Sequence, residues 1–254
     1  MTDRDRQPDR CSAPYRVRFD EAAPDGRVRT SVLLRYAQDL AWYHSAYHGF
    51  TREWYRERGL TWLARAAEVT VEGDMRVGDE IVGTTQVVGW RRVWARRRTD
   101  FVDPDGRPLA WTNVDWVLLD ARGAPTRVPN DFGKDFWAPQ ADFPLGRVNL
   151  TDPPESVETA SIRVRPQELD PMDHVNNAVY ADWLDEQVLR LGGEAEVRAI
   201  PRTVRLEYAR AVEPDSTVSA EAWRETGGWS FRIRDATEAD CLRARIEPGA
   251  VSRP

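Results

Sequence analysis

The sequence runs twice through the same order of predicted elements: a short strand, a long apolar helix and then four strands. In the first half, apolar residues alternate with arginines from Tyr15 to Phe19, which is the two-residue period of a strand. Apolar residues at helical spacing then predict a helix over Ser31–Tyr47. The second half begins again with a predicted strand over Thr159–Val164 and a helix over Asn177–Leu191. The halves share this order but little residue identity, so the repeat is architectural.

Short turns separate the remaining predicted strands, which is typical of antiparallel sheets. These strands are Trp62–Glu72, Asp79–Trp90, Val93–Val102 and Pro108–Leu119 in the first half, and Ile200–Ala209, Thr217–Arg224, Trp229–Arg234 and Cys241–Ile246 in the second. A short helix capped by Thr51 is predicted over Thr51–Arg58. The apolar face of each sheet must be covered, and one helix of about 15 residues covers roughly 22 Å. We therefore expect an α+β fold in which each sheet wraps around one helix.

Four segments follow from these patterns. Residues 1–13 carry charge and proline but little that packs, and are expected to form a flexible tail. Residues 14–135 and 159–254 are the two predicted domains. The connector, residues 136–158, belongs to a longer stretch that mixes Pro, Gly, Asp and isolated aromatics without a period.

Composition excludes several classes of protein. Hydrophobic residues make up 41% of the chain, enough for a buried core, and no apolar run approaches the roughly 20 residues of a membrane-spanning helix. The first ten residues lack the apolar stretch of a secretory signal. A net charge of −6 disfavours a large basic face for nucleic acid. We expect a cytoplasmic protein with no nucleic-acid partner and no membrane insertion.

The most informative segment is Glu168–Tyr180, which brings acids, a histidine and two asparagines to a helix entrance. The unpaired N–H groups of a first helical turn can stabilise the oxyanion that forms when a carbonyl is attacked. Asp170 is the candidate base or nucleophile, and His174 the candidate for positioning water or exchanging a proton. The backbone N–H groups of Val175 and Asn176 are the candidate oxyanion donors.

A simpler interpretation of the same segment is helix capping, in which Asp173 or Asn176 only satisfies backbone N–H groups. Asn177, at the predicted helix start, is expected to support the site by fixing the loop through backbone hydrogen bonds.

The segment resembles the active-site entrance of hotdog-fold thioesterases, and most closely that of the acyl-acyl-carrier-protein (acyl-ACP) thioesterases of bacteria and plant plastids. The residues that carry the resemblance are Asp170, His174-Val175-Asn176-Asn177, Tyr180 and Trp183, together with Leu34 to Gly49, Gly59-Leu60-Thr61-Trp62, Gly78-Asp79 and Trp111 to Asp120 in the first half. The likeness extends over roughly Tyr15 to Ile246.

The resemblance implies two tandem hotdog domains that hold the acyl chain in the amino-terminal half and cleave it in the carboxy-terminal half. The reaction would convert a fatty acyl thioester to a free fatty acid and a carrier thiol. No cofactor is expected, because a thiol with a pKa near 8.5 is a good leaving group. The expected partner is an acyl carrier protein or coenzyme A, and the chain is expected to be a monomer or a homodimer.

Three residues depart from the plant pattern. Met172 stands where plant members have Asn, and Ala211 and Val212 stand where they have a Glu-Cys pair. The predicted chemistry therefore depends on Asp170 and His174. Cys241 is expected to be a buried strand residue rather than a nucleophile.

Other candidate residues have simpler interpretations. His44 and His48 are four residues apart on one helix face, but no third ligand follows at a recognisable spacing, so packing or surface roles and no metal site are expected. Glu186 is expected to be an exposed helix residue. Within the predicted strand Val93–Val102, Arg96 and Arg98 share the face opposite to Arg97, so these arginines cannot form a single basic patch.

Three other functions stay open at this stage. A coenzyme A thioesterase of the same fold differs only in its carrier. A non-catalytic acyl-binding protein would retain the ligand without turnover. A hotdog dehydratase would use His174 as a base and leave the thioester intact.

Overall fold

The computed structural model describes residues 9–249, in which ten antiparallel strands form one sheet that packs against two long helices. The strands are β1 (Arg10–Arg16), β2 (Thr61–Val71), β3 (Glu80–Arg91), β4 (Trp94–Val102), β5 (Pro108–Leu119), β6 (Thr159–Arg163), β7 (Arg202–Tyr208), β8 (Thr217–Glu225), β9 (Gly228–Arg234) and β10 (Asp240–Pro248). The helices are α1 (Thr30–Tyr47), α2 (Arg52–Glu57), α3 (Asn130–Asp135), α4 (Val179–Arg190) and α5 (Glu194–Val197). No helix of this part of the chain is long and apolar enough to cross a membrane.

The strand order confirms the architectural repeat. The first half has the order β1-β3-β4-β5-β2, and the second half has the equivalent order β6-β8-β9-β10-β7. The halves join where β2 pairs antiparallel with β7, from Ala66 opposite Glu207 to Val71 opposite Arg202. This pairing makes one continuous sheet of the two repeats, and α1 and α4 contact each other beside it.

One large hydrophobic core contains residues of both long helices and of both halves of the sheet. Leu33 and Leu40 of α1 are fully buried, as the helical spacing predicts. The sheet does not enclose the whole of α1, however, because Trp42 is 50% exposed and Tyr47 is 80% exposed. Tyr47 has the helical spacing of the buried residues but is exposed, and it is the last residue of the helix.

The first strand begins five residues earlier than predicted. Residues 10–13, expected in the tail, pair with β3, and Cys11 lies opposite Thr85. Backbone pairing with a neighbouring strand places this segment, and a weak apolar pattern does not reveal such pairing. The rest of the predicted tail, residues 1–8, lies outside the described residues.

The stretch that precedes and enters the connector contains a helix that the sequence analysis missed. In α3, Phe132 is buried, and Phe136 follows it into the same small core. Gly133 lies so close to the Trp90 indole that a Cβ atom would have no room. Tertiary packing therefore stabilises this six-residue helix, whose local sequence is a poor helix former.

Candidate active site

Asp170 and His174 face each other across a tight loop. The Asp170 N–H donates a hydrogen bond to the His174 carbonyl at 2.9 Å. The Asp170 carboxylate accepts one from the Met172 N–H at 2.8 Å. This hydrogen bond, from a backbone N–H to the aspartate side chain two residues earlier, is typical of a turn. Asp173 completes the turn with a φ of 60°. Both predicted catalytic side chains lie half-buried on this loop.

Side chains fix the loop against both long helices. The Asn176 Oδ1 accepts a hydrogen bond from the Ala178 N–H at 3.0 Å, and its Nδ2 donates to Gln38 Oε1 of α1 at 3.3 Å. The Trp183 Nε1 of α4 donates to Glu168 Oε1 at 3.2 Å. Asn176 therefore accepts a hydrogen bond from a backbone N–H just ahead of the helix without being its N-cap residue, and it also connects the loop to the first half of the chain.

The two predicted oxyanion donors already donate hydrogen bonds to carbonyl groups of the protein. The Val175 N–H donates to the Val212 carbonyl at 3.4 Å, and the Asn176 N–H donates to the Glu168 carbonyl at 2.9 Å. Regular helix begins at Val179, two residues later than the sequence predicts. Val175 and Asn176 therefore belong to the loop instead of the first helical turn, and their N–H groups do not form the predicted site in this arrangement.

An apolar cavity lies between α1, the sheet and the start of α4. The cavity is narrow, with a volume of about 20 Å³, and it is partly open to solvent. It is lined mainly by small or apolar side chains of α1, β2 and β5, with Gln38, Arg97, Thr99 and Asn177 as polar members. Neither Asp170 nor His174 is among the lining residues, whereas Asn177 and Ala178 at the helix entrance are.

Asn177 lies between the active-site loop and the cavity. Its carbonyl accepts a hydrogen bond from the Tyr208 hydroxyl at 3.0 Å, and the residue lines the cavity. Three tryptophans of the first half are bulky enough to line an acyl pocket. Trp116 lines the cavity, whereas Trp42 is half-exposed and Trp62 contacts Phe132.

The positions that depart from the plant pattern leave a largely apolar wall behind the loop. Met172 is 50% exposed, and Val212 is buried with its N–H donating to the Tyr180 hydroxyl at 3.3 Å. Burial raises the pKa of Tyr180, and the negative charge of Asp170 raises it further. Cys241 is fully buried, as predicted, and burial raises its pKa to about 11.

A second polar cluster forms around the end of α1. The Asp9 Oδ2 lies 3.2 Å from His44 Nε2 and 2.6 Å from His48 Nε2. The sequence has no third ligand at a recognisable spacing, but the folding of β1 brings Asp9 to the two histidines from far along the chain. However, Arg97 Nη1 donates to His44 Nδ1 at 2.9 Å, so Nε2 carries the ring proton of neutral His44. A protonated nitrogen is not a metal ligand, and hydrogen bonding accounts for the cluster.

This cluster predicts acid sensitivity. Burial and the nearby Arg97 charge lower the pKa of His44 from about 6.5 to about 4. The unfolded chain therefore binds a proton that the folded chain does not, and stability falls as the pH decreases from about 6.5 towards 4. We expect His44→Gln to reduce this loss by about 2–3 kcal/mol, measured by urea unfolding at pH 7 and pH 4.5. His174→Gln, which changes a half-buried histidine of the active-site loop outside this cluster, is the control, and an equal acid loss in wild type and His44→Gln would contradict the assignment.

Comparison with solved structures places this architecture among known thioesterases. A proposed oleoyl thioesterase from Lactobacillus plantarum is 20% identical, with a TM-score of 0.83 and 97% of each chain covered. An acyl-ACP thioesterase from Bacteroides thetaiotaomicron is 14% identical, with a TM-score of 0.80 and coverage of 97% of this chain and 99% of that one. The 12:0-ACP thioesterase from Umbellularia californica is 22% identical, with a TM-score of 0.78 and coverage of 94% and 96%.

These likenesses confirm the tandem hotdog fold. A search of curated protein sequences finds no match. The sequence family of the acyl-ACP thioesterase N-terminal domain matches residues 9–136, and that of the acyl-ACP thioesterase C-terminal domain matches residues 151–247. The chain therefore belongs to the acyl-ACP thioesterase family, whose members are thioester hydrolases.

Proposed function

We propose that the chain hydrolyses fatty acyl-ACP thioesters with Asp170 as its catalytic carboxylate and His174 in an assisting role. The observation that carries this proposal is the position of the cavity, which extends from α1 of the first half to Asn177 and Ala178 at the entrance of α4. An acyl chain that enters and widens this narrow cavity would present its thioester at the helix entrance, beside the loop that holds Asp170 and His174.

The chemistry needs no group beyond a carboxylate, a water molecule and an oxyanion site. With Asp170 as base, the carboxylate takes a proton from water as the water oxygen bonds to the thioester carbon. The carbon–sulfur bond then breaks, the thiolate leaves, and it receives the proton. With Asp170 as nucleophile, its oxygen bonds to the carbon and the carbon–sulfur bond breaks, which releases the thiolate. Water then cleaves the resulting anhydride to the fatty acid and the free Asp170 carboxylate, and the proton that is set free goes to the thiolate. His174 is positioned on the same loop to orient the water in either route.

We assign the oxyanion donor to the backbone N–H of Asn177. This residue lines the cavity at the helix entrance, where the partial positive charge of α4 stabilises a developing negative charge. Hydrogen bonds from Tyr208 to the Asn177 carbonyl and from Ala178 to Asn176 hold this backbone in place.

We further propose a cytoplasmic location, an acyl carrier protein as the preferred partner, and two domains around the connector. The first domain begins with β1 at Arg10, not at residue 14, and ends at residue 135, and the second covers residues 159–254. The matched family supports the choice of the carrier protein over coenzyme A.

Release of free thiol tests the proposal. Purified protein should release thiol from acyl-ACP across a range of saturated chain lengths, and more slowly from the matching acyl-coenzyme A at equal concentration. Greater activity on coenzyme A at every length would overturn the choice of carrier. Release from neither carrier would overturn the proposed function.

One observation favours a second candidate, an acyl-binding protein without turnover. Val212 and Ala211 remove two polar side chains from the wall behind the loop, and Met172 removes a third. This candidate predicts stoichiometric retention of acyl-ACP without free thiol, which the same assay distinguishes when combined with gel filtration.

A further inference from the structure

The cavity has a charged group away from its reacting end. Gln38 marks the reacting end, because it contacts Asn176 of the active-site loop. His44 lies six residues further along α1, about 9 Å at 1.5 Å per residue. Arg97 of β4, which also lines the cavity, is bound to this histidine. The cavity therefore has apolar walls with an arginine well inside it.

Arg97 lies on the inner face of its strand. Alternate residues of β4 are buried, and Arg97 is only 7% exposed. Its neighbours Arg96 and Arg98 point the other way and pair with Asp115 and Asp100. The alternation of side chains along β4 thus places the ion-paired Arg96 and Arg98 on one face and Arg97 on the face towards the cavity.

The charge of Arg97 is poorly compensated. Among residues 9–249, its side chain hydrogen-bonds to His44 at 2.9 Å and lies over the Phe136 ring at 5.4 Å, but it forms no ion pair with a carboxylate. Burial lowers its pKa to about 10. A buried charge without a direct counter-ion is costly, and such a group at the wall of a cavity is a candidate for contact with a ligand.

The groups behind Arg97 do not remove this cost. His44 is neutral above about pH 4 and only accepts a hydrogen bond from the guanidinium. The nearest described carboxylate of this cluster, Asp9, lies on the far side of the His44 ring. The hydrogen bond to His44 thus fixes the Arg97 guanidinium, and the other residues that line the cavity beside it are mostly apolar.

We propose that Arg97 is a specificity-determining residue that recognises an oxygen atom on the acyl chain, so that the preferred substrates are thioesters of hydroxy- or keto-acyl groups. The inference rests on the proposed thioesterase function. The oxygen would lie several carbons from the thioester, since the guanidinium and the helix entrance are separated along α1. Thr99, the next inward residue of β4 and also a lining residue, provides a second polar contact.

The test is a series of acyl-ACP thioesters of equal length, with a hydroxyl group moved along the chain and an unsubstituted chain as reference. For the wild type, we expect kcat/KM to peak at one hydroxyl position, roughly 10- to 100-fold above the unsubstituted chain, as for a hydrogen bond to a charged group. Arg97→Met should abolish this peak. Arg98→Met, on the opposite face of the same strand, is the matched control and should retain it.

Two further measurements separate this inference from the proposed function. The wild-type series needs no variant, so it remains decisive if Arg97→Met does not fold. Binding of non-hydrolysable thioether analogues of the same chains tests recognition without turnover. An equal response to hydroxylated and unsubstituted chains in both binding and hydrolysis would overturn the inference while leaving the activity intact. Selective binding without hydrolysis would support the inference and overturn the proposed function.

Discussion

Replacing Asp170 with Asn is expected to lower kcat for acyl-ACP hydrolysis about a thousandfold, within the range by which a positioned acid or base accelerates a reaction. The amide retains the shape of the carboxylate and can still accept the hydrogen bond from the Met172 N–H, so the loop should keep its conformation. It can neither take a proton from water nor form an anhydride. The measurement is the steady-state release of free thiol.

The matched control is Asp173→Asn, three residues further along the same loop. Asp173 has a φ of 60°, a conformation that Asn tolerates well, and its side chain is exposed. This variant should retain most of the activity. If Asp170→Asn kept more than about a tenth of the wild-type rate, the carboxylate would not have the role that we assign to it.

Asp115→Ala is expected to lower the free energy of unfolding by about 2–3 kcal/mol, because it removes the buried carboxylate that accepts hydrogen bonds from the half-buried Arg96. Asp115 is 2% exposed and accepts two hydrogen bonds from Arg96, at 2.6 and 2.8 Å. It also accepts one from the Gly146 N–H at 2.8 Å, and Arg96 donates to the Pro144 carbonyl at 2.7 Å. The variant therefore also removes the hydrogen bond by which Asp115 holds Gly146 of the connector.

The measurement is urea unfolding at neutral pH. Asp105→Ala removes the exposed pair with Arg107 and should change stability little, since exposed ion pairs contribute little. Asp115→Asn, which keeps some of the hydrogen bonds, should be intermediate. Equal stability of the Asp115→Ala and Asp105→Ala variants would contradict the structural role of this pair.

The sequence predicts regular elements well where side-chain periodicity reports burial. Pro108–Leu119 is predicted with its observed bounds, and α1 differs by one residue at its start, because one face of each element packs on the core. Periodicity does not predict segments that other contacts hold in place. Residues 10–13 depend on backbone pairing with β3, and α3 depends on the packing of Phe132 and Phe136.

The candidate site shows the same division. Asp170 and His174 are predicted from a local motif, and they do lie on one short loop. The oxyanion donors are displaced because the loop continues two residues further than predicted. Gln38 and Arg97 are absent from the predicted site, since only the folded chain brings α1 and β4 to the same cavity as α4. The alternation of side chains along a strand does predict that Arg97 faces inward, but it does not predict which residues Arg97 contacts there.

The central claim, that this chain splits an acyl thioester with water, is tested most directly by multiple turnovers of acyl-ACP in water enriched in oxygen-18, with mass spectrometry of the products. The account predicts free fatty acid that carries the heavy isotope, in an amount equal to the free carrier thiol. An acyl group that stays on its carrier, whether unchanged or dehydrated, would contradict it.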